Sequence, residues 1–306
     1  MQKTFFWVEE YLFYPKKISQ KVLSYLLLPF STVYCMVVTS KRFFAKEADF
    51  GIPIVSIGNL TVGGNGKTPF LISLAKDRKN VAVILRGYKR ESSELLIVDP
   101  SMDVKKCGDE AMLYAKSLPD ALVIVSKDRI EGVKLAKKRG VKAIFLDDAF
   151  HKSDIKKFDI VLKPRYEPTN SFCLPSGGYR EPKSFEKYAD IVAIEERDFK
   201  RIVKIKYESN RMVLVTAIAK PQRLDEYLPK DKIVQKIYFE DHHFFSKKEL
   251  EEIIKKSSAT TLLVTAKDLV KIENFSLPLS VMELEIEIDN KIILKVDSFI
   301  DNYANL

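Results

Sequence analysis

"TVGGNGKTPF", Thr61–Phe70, decides how the rest of the chain is read. Three glycines surround an asparagine, and a lysine, a threonine and a proline follow. The preceding run, "IPIVSIGNL", is short, apolar and β-branched, which suits a strand. The following run, "PFLISLAK", suits an amphipathic helix beginning near Lys67. Strand, glycine loop and helix in that order build an anion site. Glycines permit a tight turn with successive N–H groups pointing inward. The helix start adds unpaired N–H groups and the positive end of its dipole. Lys67 supplies a mobile charge for the outer phosphates of a nucleotide, and Thr68 a hydroxyl for magnesium. The strict pattern G-x-x-x-x-G-K-[ST] has Thr61 in place of its first glycine, with Gly63 and Gly64 inside the loop. Pro69 falls in the first helical turn, where its missing N–H costs nothing.

The chain has 306 residues, 46% hydrophobic and 30% charged, enough to bury a core and too apolar for disorder. The net charge of +9 suits phosphorylated, nucleic-acid or lipid partners without choosing among them. Cys35, Cys107 and Cys173 lack metal-type spacing and fit a reducing compartment.

The N-terminus departs from this composition. Val22–Val38 carries no charge, and Lys16, Lys17, Lys21, Lys41, Arg42 and Lys46 flank it. A helix over those residues is about 25 Å long, shorter than the ~30 Å hydrocarbon core of a bilayer. Pro29 should kink it. Trp7, Tyr11, Tyr14, Tyr25 and Tyr34 are amphipathic aromatics of the kind found at membrane interfaces. Residues 1–44 read as a helical segment that lies in or dips into one leaflet, or else as a buried helical hairpin packed on the globular body.

Apolar runs then alternate with helix-like stretches: "NVAVILRG", "ELLIVD", "ALVIVS", "VKAIFLDD", "FDIVLK" and "ADIVAIEE", with helices expected over Asp109–Ser117 and Arg129–Arg139. Such alternation predicts a mostly parallel sheet covered on both faces, with ligands at the carboxyl ends of its strands. "RIVKIKY" reads as a connecting strand. From Glu208 a fresh set of strands with the helix "KKELEEIIKKS" predicts a second, smaller α/β domain. The expected division is 1–44, 45–201, a hinge strand over 202–207, and 208–306.

Several residues could carry chemistry. Asp147 and Asp148 end a buried strand, which suits magnesium binding behind a phosphate loop and also a helix N-cap. Asp109 and Glu110 follow a glycine at a helix start. Acids there cap helices, and one could equally serve as a general base. His242 and His243 follow Asp241, with no third metal ligand at useful spacing. They suit packed imidazoles or a partner that orients a carboxylate. Arg180 and Glu181, in the turn-rich "LPSGGYREP", suit a phosphate clamp or a surface ion pair. In "TAKD", Lys267 and Asp268 are adjacent, which does not fit a guanine-reading motif. No helix-turn-helix or aromatic–basic pattern points to nucleic acid.

Taken together, "SIGNLTVGGNGKTP", "LRGY", "GDEAM", "LDDAFHK", "LPSGGYREP", "FEDHHFF" and "TAKDLVK" resemble, in order, the tetraacyldisaccharide 4'-kinase family, over about Ser56–Lys271. The resemblance implies transfer of the γ-phosphate of ATP, with Mg2+, to the 4'-hydroxyl of a tetra-acylated disaccharide 1-phosphate in lipid A biosynthesis. It implies work at the cytoplasmic face of the bacterial inner membrane, on a lipid substrate, with no nucleic acid and no obligate protein partner. By motif, Gly63, Gly64, Asn65, Gly66, Lys67 and Thr68 would form the phosphate loop, and Thr68, Asp147 and Asp148 would serve magnesium. Asp109 resembles the family's base, paired with a histidine, His242 first and His243 second. Glu110, Arg180 and Glu181 would line the nucleotide and phosphate region. The implied fold has two α/β/α domains joined by a two-stranded hinge. Asn65, Ala149, His151 and Lys152 depart from the usual motifs, as does the "GGY" before Arg180. A membrane-associated ATPase or nucleotide switch without a lipid acceptor is the alternative, and it requires hydrolysis that ignores lipid.

Overall fold

The structure is a computed structural model that describes residues 2–64 and 66–304, with side chains described for 7–64 and 66–303. Asn65, expected in the phosphate loop, lies outside the described residues. The chain divides into two compact units. Met1–Lys67, Phe145–Phe199 and Asp289–Leu306 form the first, and Thr68–Ile144 with Lys200–Ile288 the second.

The first unit opens with helices α1 (Gln2–Phe13), α2 (Ile18–Leu26) and α3 (Leu28–Phe43). Strand β1 (Ile54–Gly58) follows, and its five residues are all buried. Helix α4 (Lys67–Ala75) starts at the last residue of this unit's first segment, where the periodicity places it, and buries Phe70, Leu71 and Leu74. Each such side chain contributes roughly 1.5–3 kcal/mol of burial free energy.

The second unit holds β2 (Val81–Leu85), β3 (Leu96–Ile97), α5 (Val104–Cys107), α6 (Asp109–Ser117), β4 (Leu122–Val125) and α7 (Arg129–Lys138). Strand β2 pairs parallel with β4, and β3 pairs antiparallel with it. The run "ELLIVD" thus yields a two-residue edge strand, half-buried, because only one side of it meets the sheet.

The chain then makes β5 (Ala143–Asp147), which spans the division, and returns to the first unit as β6 (Phe158–Lys163) and β7 (Ile191–Ile194). Strands β1, β6 and β7 run parallel, with Ile57 opposite Ile160 and Ile160 opposite Ile191. The sheet order is β3-β4-β2-β5-β1-β6-β7.

A second sheet has the order β10-β9-β11-β12-β8. Its members are β8 (Phe199–Lys206), β9 (Met212–Thr216), β10 (Ile233–Tyr238), β11 (Thr261–Thr265) and β12 (Leu279–Ile288). Strands β9, β10, β11 and β12 pair parallel along that order. Helix α8 (Lys247–Ser257) begins at a Ser246–Glu249 capping box. Its Leu250, Ile253 and Ile254, spaced as one helical face, pack on Val213, Val215, Leu262 and Val264. Helix α9 (Ala266–Ile272) starts where β11 ends, with Thr265 as its cap. Helix α10 (Asn290–Ala304) belongs to the first unit, where Phe299 packs on Phe158 of β6, ring centroids 5.0 Å apart.

Among the described residues no single helix is long and apolar enough to cross a membrane. The bent pair α2–α3, turned by 53°, passes that test only jointly. The break falls at Leu27, two residues before Pro29, so the expected interruption takes the form of two helices, with Pro29 in the first turn of α3. The pair is inverted relative to an ordinary surface helix. Ile18, Val22, Tyr25, Leu26, Phe30, Val33, Met36 and Val37 are exposed, while Gln20, Ser24 and Ser31 are buried.

Candidate active site

In the first unit the glycine loop turns through left-handed backbone at Gly63, φ 96°, and Gly66, φ 79°. A side chain at either position would be strained. At Gly58, where β1 ends, an added Cβ would lie 2.5 Å from the Cβ of Phe150, so only glycine lets the turn after β5 come this close. Asp148 stands in that turn at φ 51°, a left-handed conformation that aspartate, asparagine and glycine adopt more readily than other residues.

The side chains between these turns form a charged cluster. Lys67 Nζ donates to Asn59 Oδ1 at 3.0 Å and lies 3.6 Å from Asp148 Oδ1. Arg180 grips Asp148 with both terminal nitrogens, Nη1 to Oδ2 at 2.9 Å and Nη2 to Oδ1 at 2.8 Å. The same Nη2 donates to Asn59 Oδ1 at 2.7 Å. Asn59 Nδ2 donates to the Thr61 carbonyl at 2.8 Å, which fixes its amide with the oxygen toward the two cations. Burial alone would raise the Asp148 carboxyl; the Arg180 hydrogen bonds and the charges of Lys67, Arg180 and His151 outweigh it and hold Asp148 well below the usual carboxylate range.

Asp147, the last residue of β5, is buried, and Thr68 is the second residue of α4, half-buried. Among the described residues no group of three or more His, Cys, Asp or Glu side chains forms a metal cage. Magnesium beside a nucleotide needs none, because one or two carboxylates, a hydroxyl and phosphate oxygens complete its shell. The carboxylates of Asp147 and Asp148 are donors of the kind this ion takes, as is the hydroxyl of Thr68. Glu181 turns elsewhere. It is buried and its Oε1 lies 3.6 Å from Arg42 Nη2 of α3, with burial pushing its carboxyl up against the pull of Arg42 and Arg180.

In the second unit a different cluster surrounds Asp109, the first residue of α6. Its N-terminal neighbour Gly108 has φ 93°. His242 Nδ1 lies 2.8 Å from Asp109 Oδ2 and 2.9 Å from Oδ1. An ionised carboxylate only accepts, so Nδ1–H is the donor. His242 itself sits at φ 66°, with its N–H on the Ala217 carbonyl at 3.0 Å. His243 faces away from Asp109. Its Nε2 is 3.2 Å from Glu249, and its ring stacks on Phe239 at 4.6 Å.

Two lysines on α9 complete the cluster. Lys271, wholly buried, is 3.4 Å from Asp109 Oδ2 and 3.1 Å from Asp268 Oδ1. Lys267 lies 3.8 Å from Asp109, 3.7 Å from Glu110 and 3.5 Å from Asp241. Asp268 is anchored by the hydroxyls of Thr216 and Thr265 at 2.7 and 2.8 Å. Burial of Asp109, only 3% exposed, would raise its carboxyl. The His242 hydrogen bond and the charges of Lys267 and Lys271 prevail and hold it below the usual range. Lys267 is in turn held charged: burial disfavours its ammonium, and Glu110, Asp109, Asp241 and Asp268 outweigh that.

The motif reading names Asp109, His242, Lys67, Asp148 and Arg180, and the structure draws them into these two clusters. It gives no part in either cluster to Asn59, Lys267, Lys271 or Asp268, and reads Arg42 only as a flanking charge. The signals were present: Asn59 sits inside "SIGNL", and Lys267 and Lys271 are four apart, on one face of a helix.

The same chain matches the family model "Tetraacyldisaccharide-1-P 4'-kinase" over residues 23–210 and 198–301. It is 51% identical to the tetraacyldisaccharide 4'-kinase of Aliarcobacter butzleri, with 99% of each chain covered. It is 47% identical to that of Helicobacter pylori strain HPAG1, covering 96% of this chain and 95% of the relative. The Campylobacter jejuni enzyme of serotype O:2 is 42% identical over 97% and 96%. Among solved structures, "apo" form LpxK from Aquifex aeolicus in complex with ATP superposes with a TM-score of 0.73 at 26% identity, covering 91% of this chain and 99% of that one. The protein belongs to the tetraacyldisaccharide 4'-kinase family.

Proposed function

We infer that this protein transfers the γ-phosphate of ATP to the 4'-hydroxyl of a tetraacyldisaccharide 1-phosphate, a step of lipid A biosynthesis. The observation that carries the reading is the Asn59–Lys67–Asp148–Arg180 cluster beside the glycine loop of a chain in this kinase family.

Phosphoryl transfer asks a protein for alignment and charge neutralisation more than for covalent chemistry. The loop amides around Gly63, Gly64 and Gly66 receive the polyphosphate, with Asn65 completing the motif. Lys67 leaves Asn59 for the outer phosphates. Arg180 bears two donors that fit a phosphoryl group as they fit the Asp148 carboxylate. Thr68, Asp147 and Asp148 would hold Mg2+, which would supply further neutralisation of the transferring phosphoryl group's charge.

Asp109 accepts a hydrogen bond from the acceptor hydroxyl and then its proton. Its carboxyl, held low, is a weak base at rest. In a loose transition state the hydroxyl keeps its proton until late, so the alignment Asp109 provides counts for more than its basicity. His242 keeps that carboxylate oriented, and Lys267 and Lys271 keep it ionised. Glu110 reaches the same region through Lys267.

The exposed apolar face of α2–α3, with Lys16, Lys17, Lys21, Lys41 and Lys46 around it, suits contact with an anionic leaflet where an acylated substrate lies. The proposed place of work is the cytoplasmic face of the bacterial inner membrane, bound from one side. We keep, as a functional division, a membrane-associated segment over 1–44, a kinase domain over 45–201, a hinge strand over 202–207 and a smaller domain over 208–306. The two separate sheets support it.

The test is direct. Purified protein is given γ-labelled ATP, Mg2+ and the disaccharide 1-phosphate dispersed in detergent, and the products are separated by mass. Label is expected in a bisphosphorylated lipid. Label released only as inorganic phosphate, at a rate that ignores the lipid, would refute the reading.

A further inference from the structure

Behind Arg180 lies a row of hydrogen bonds that the transfer as derived does not use. Arg180 ends the turn 173–180, and four carbonyls of that turn accept from side chains of the N-terminal helices. Ser31 Oγ donates to the Cys173 carbonyl at 2.7 Å. Tyr11 Oη donates to that of Pro175 at 2.7 Å, and Ser24 Oγ to that of Ser176 at 2.5 Å. Tyr34 Oη donates to the carbonyl of Arg180 itself at 2.9 Å. Asn170 Nδ2 adds a bond to the Ser176 carbonyl at 2.8 Å. On α3, Arg42 Nη2 donates to the Phe150 carbonyl at 3.0 Å, two residues beyond Asp148. Packing is equally close. A Cβ on Gly178 would lie 2.2 Å from the Phe13 ring of α1, which accounts for the glycine there. All these residues belong to one compact unit.

This arrangement explains the inverted character of α2–α3. Ser24 and Ser31 are buried where an ordinary helix would bury leucines. Their partners are main-chain oxygens, which are costly to leave unbonded when buried. Holding main chain fixes where the Arg180 side chain starts, and a bidentate guanidinium tolerates little displacement.

We propose that Ser24, Ser31 and Tyr34 are positioning residues for phosphoryl transfer. Through the carbonyls of the 173–180 turn they hold Arg180 on Asp148 and Asn59, so the helices that offer one face to lipid form, with the other, a wall of the phosphate site. The proposal rests on Arg180 acting in that site. It makes α2–α3 part of the catalytic apparatus and not a detachable anchor.

The experiment is a mutant cycle on the full-length chain. Ser31→Ala/Tyr34→Phe, Arg180→Ala and the triple variant are assayed with detergent-dispersed acceptor. Ser31→Thr, which keeps the hydroxyl, and Thr39→Ala, exposed on α3, serve as controls. Ser31→Ala/Tyr34→Phe is expected to lower kcat at least tenfold, with Ser31→Thr and Thr39→Ala near the parent. It should bind vesicles of phosphatidylethanolamine and phosphatidylglycerol as the parent does, because the exposed face is unchanged. On the Arg180→Ala background the same pair should cost less than twofold, since the residue it positions is gone. Tyr34→Phe alone, one oxygen removed, carries the same cycle if the pair unfolds. A parent-like kcat in Ser31→Ala/Tyr34→Phe, while Arg180→Ala is slow, overturns the proposal. An equal loss on both backgrounds makes the bonds merely structural and also overturns it. A parent-like kcat in Arg180→Ala removes the arginine from the site, and the proposal with it.

Discussion

The two charged clusters are built in opposite ways. The cluster around Lys67 comes from strand ends and turns: Asn59 and Lys67 flank one glycine loop, and Asp148 follows β5. Its two cations, Lys67 and Arg180, share one carboxylate, Asp148, and the Asn59 amide oxygen. Arg180 reaches that cluster from 121 positions beyond Asn59. The cluster around Asp109 has no such glycine loop, and its Asp109 and His242 are 133 positions apart. Its two cations, Lys267 and the buried Lys271, are set among four carboxylates, Asp109, Glu110, Asp241 and Asp268. The first is suited to receive charge and the second to keep one carboxylate ionised and aligned. On the proposed function, phosphate handling would fall to the first and the acceptor hydroxyl to the second.

Breaking the first cluster should have the largest effect. Lys67→Ala is expected to lower kcat about 10³-fold, as loss of one aimed donor to transition-state charge does, and to weaken ATP binding in the same titration. Asp109→Asn should lower kcat about 10²–10³-fold, within the usual worth of a positioned base. Removing His242 is milder. His242→Ala should cost roughly tenfold in kcat, because the lysines still hold the carboxylate ionised while its orientation is lost. His243→Ala should change kcat less than about twofold, since its partners are Glu249 and Phe239.

The pH dependence sharpens the contrast further. Asp109 and Asp148 both have folded-state pKa values held below the unfolded value of about 4. The stability they contribute is present above that value and lost as pH falls through the lower folded one. Lys271→Met removes a cation beside Asp109 and raises its carboxyl. The acid limb of the kcat/KM profile should then move to higher pH, while the pH dependence of ATP binding stays in place.

Much of the first cluster was legible. Glycines with positive φ, a lysine and a threonine at fixed spacing can be read from "GGNGKT", because the chemistry is local. Helix starts were legible for the same reason: α4, α6 and α8 begin at Lys67, Asp109 and Lys247, where capping and periodicity place them. The resemblance ranks His242 before His243 as the partner of Asp109, and His242 is the one that meets it, but the residues themselves do not decide. Both neighbours carry the same ring, and the choice depends on the positive φ of His242 and on the bond from its N–H to Ala217, which no local pattern announces. Lys271 was hidden similarly, as a lysine on an amphipathic helix normally reads as solvated. Nor could composition reveal that Ser24 and Ser31 face inward. Seryl side chains in an apolar stretch look incidental until the carbonyls they meet are known.

The division of labour is tested most directly by measuring the ATP dissociation constant and the single-turnover transfer rate of folded Asp109→Asn together. The expected result is a dissociation constant within about twofold of the parent and a rate at least about 100-fold slower. A parent-like rate would contradict it, and so would a rate that falls only in step with lost ATP binding.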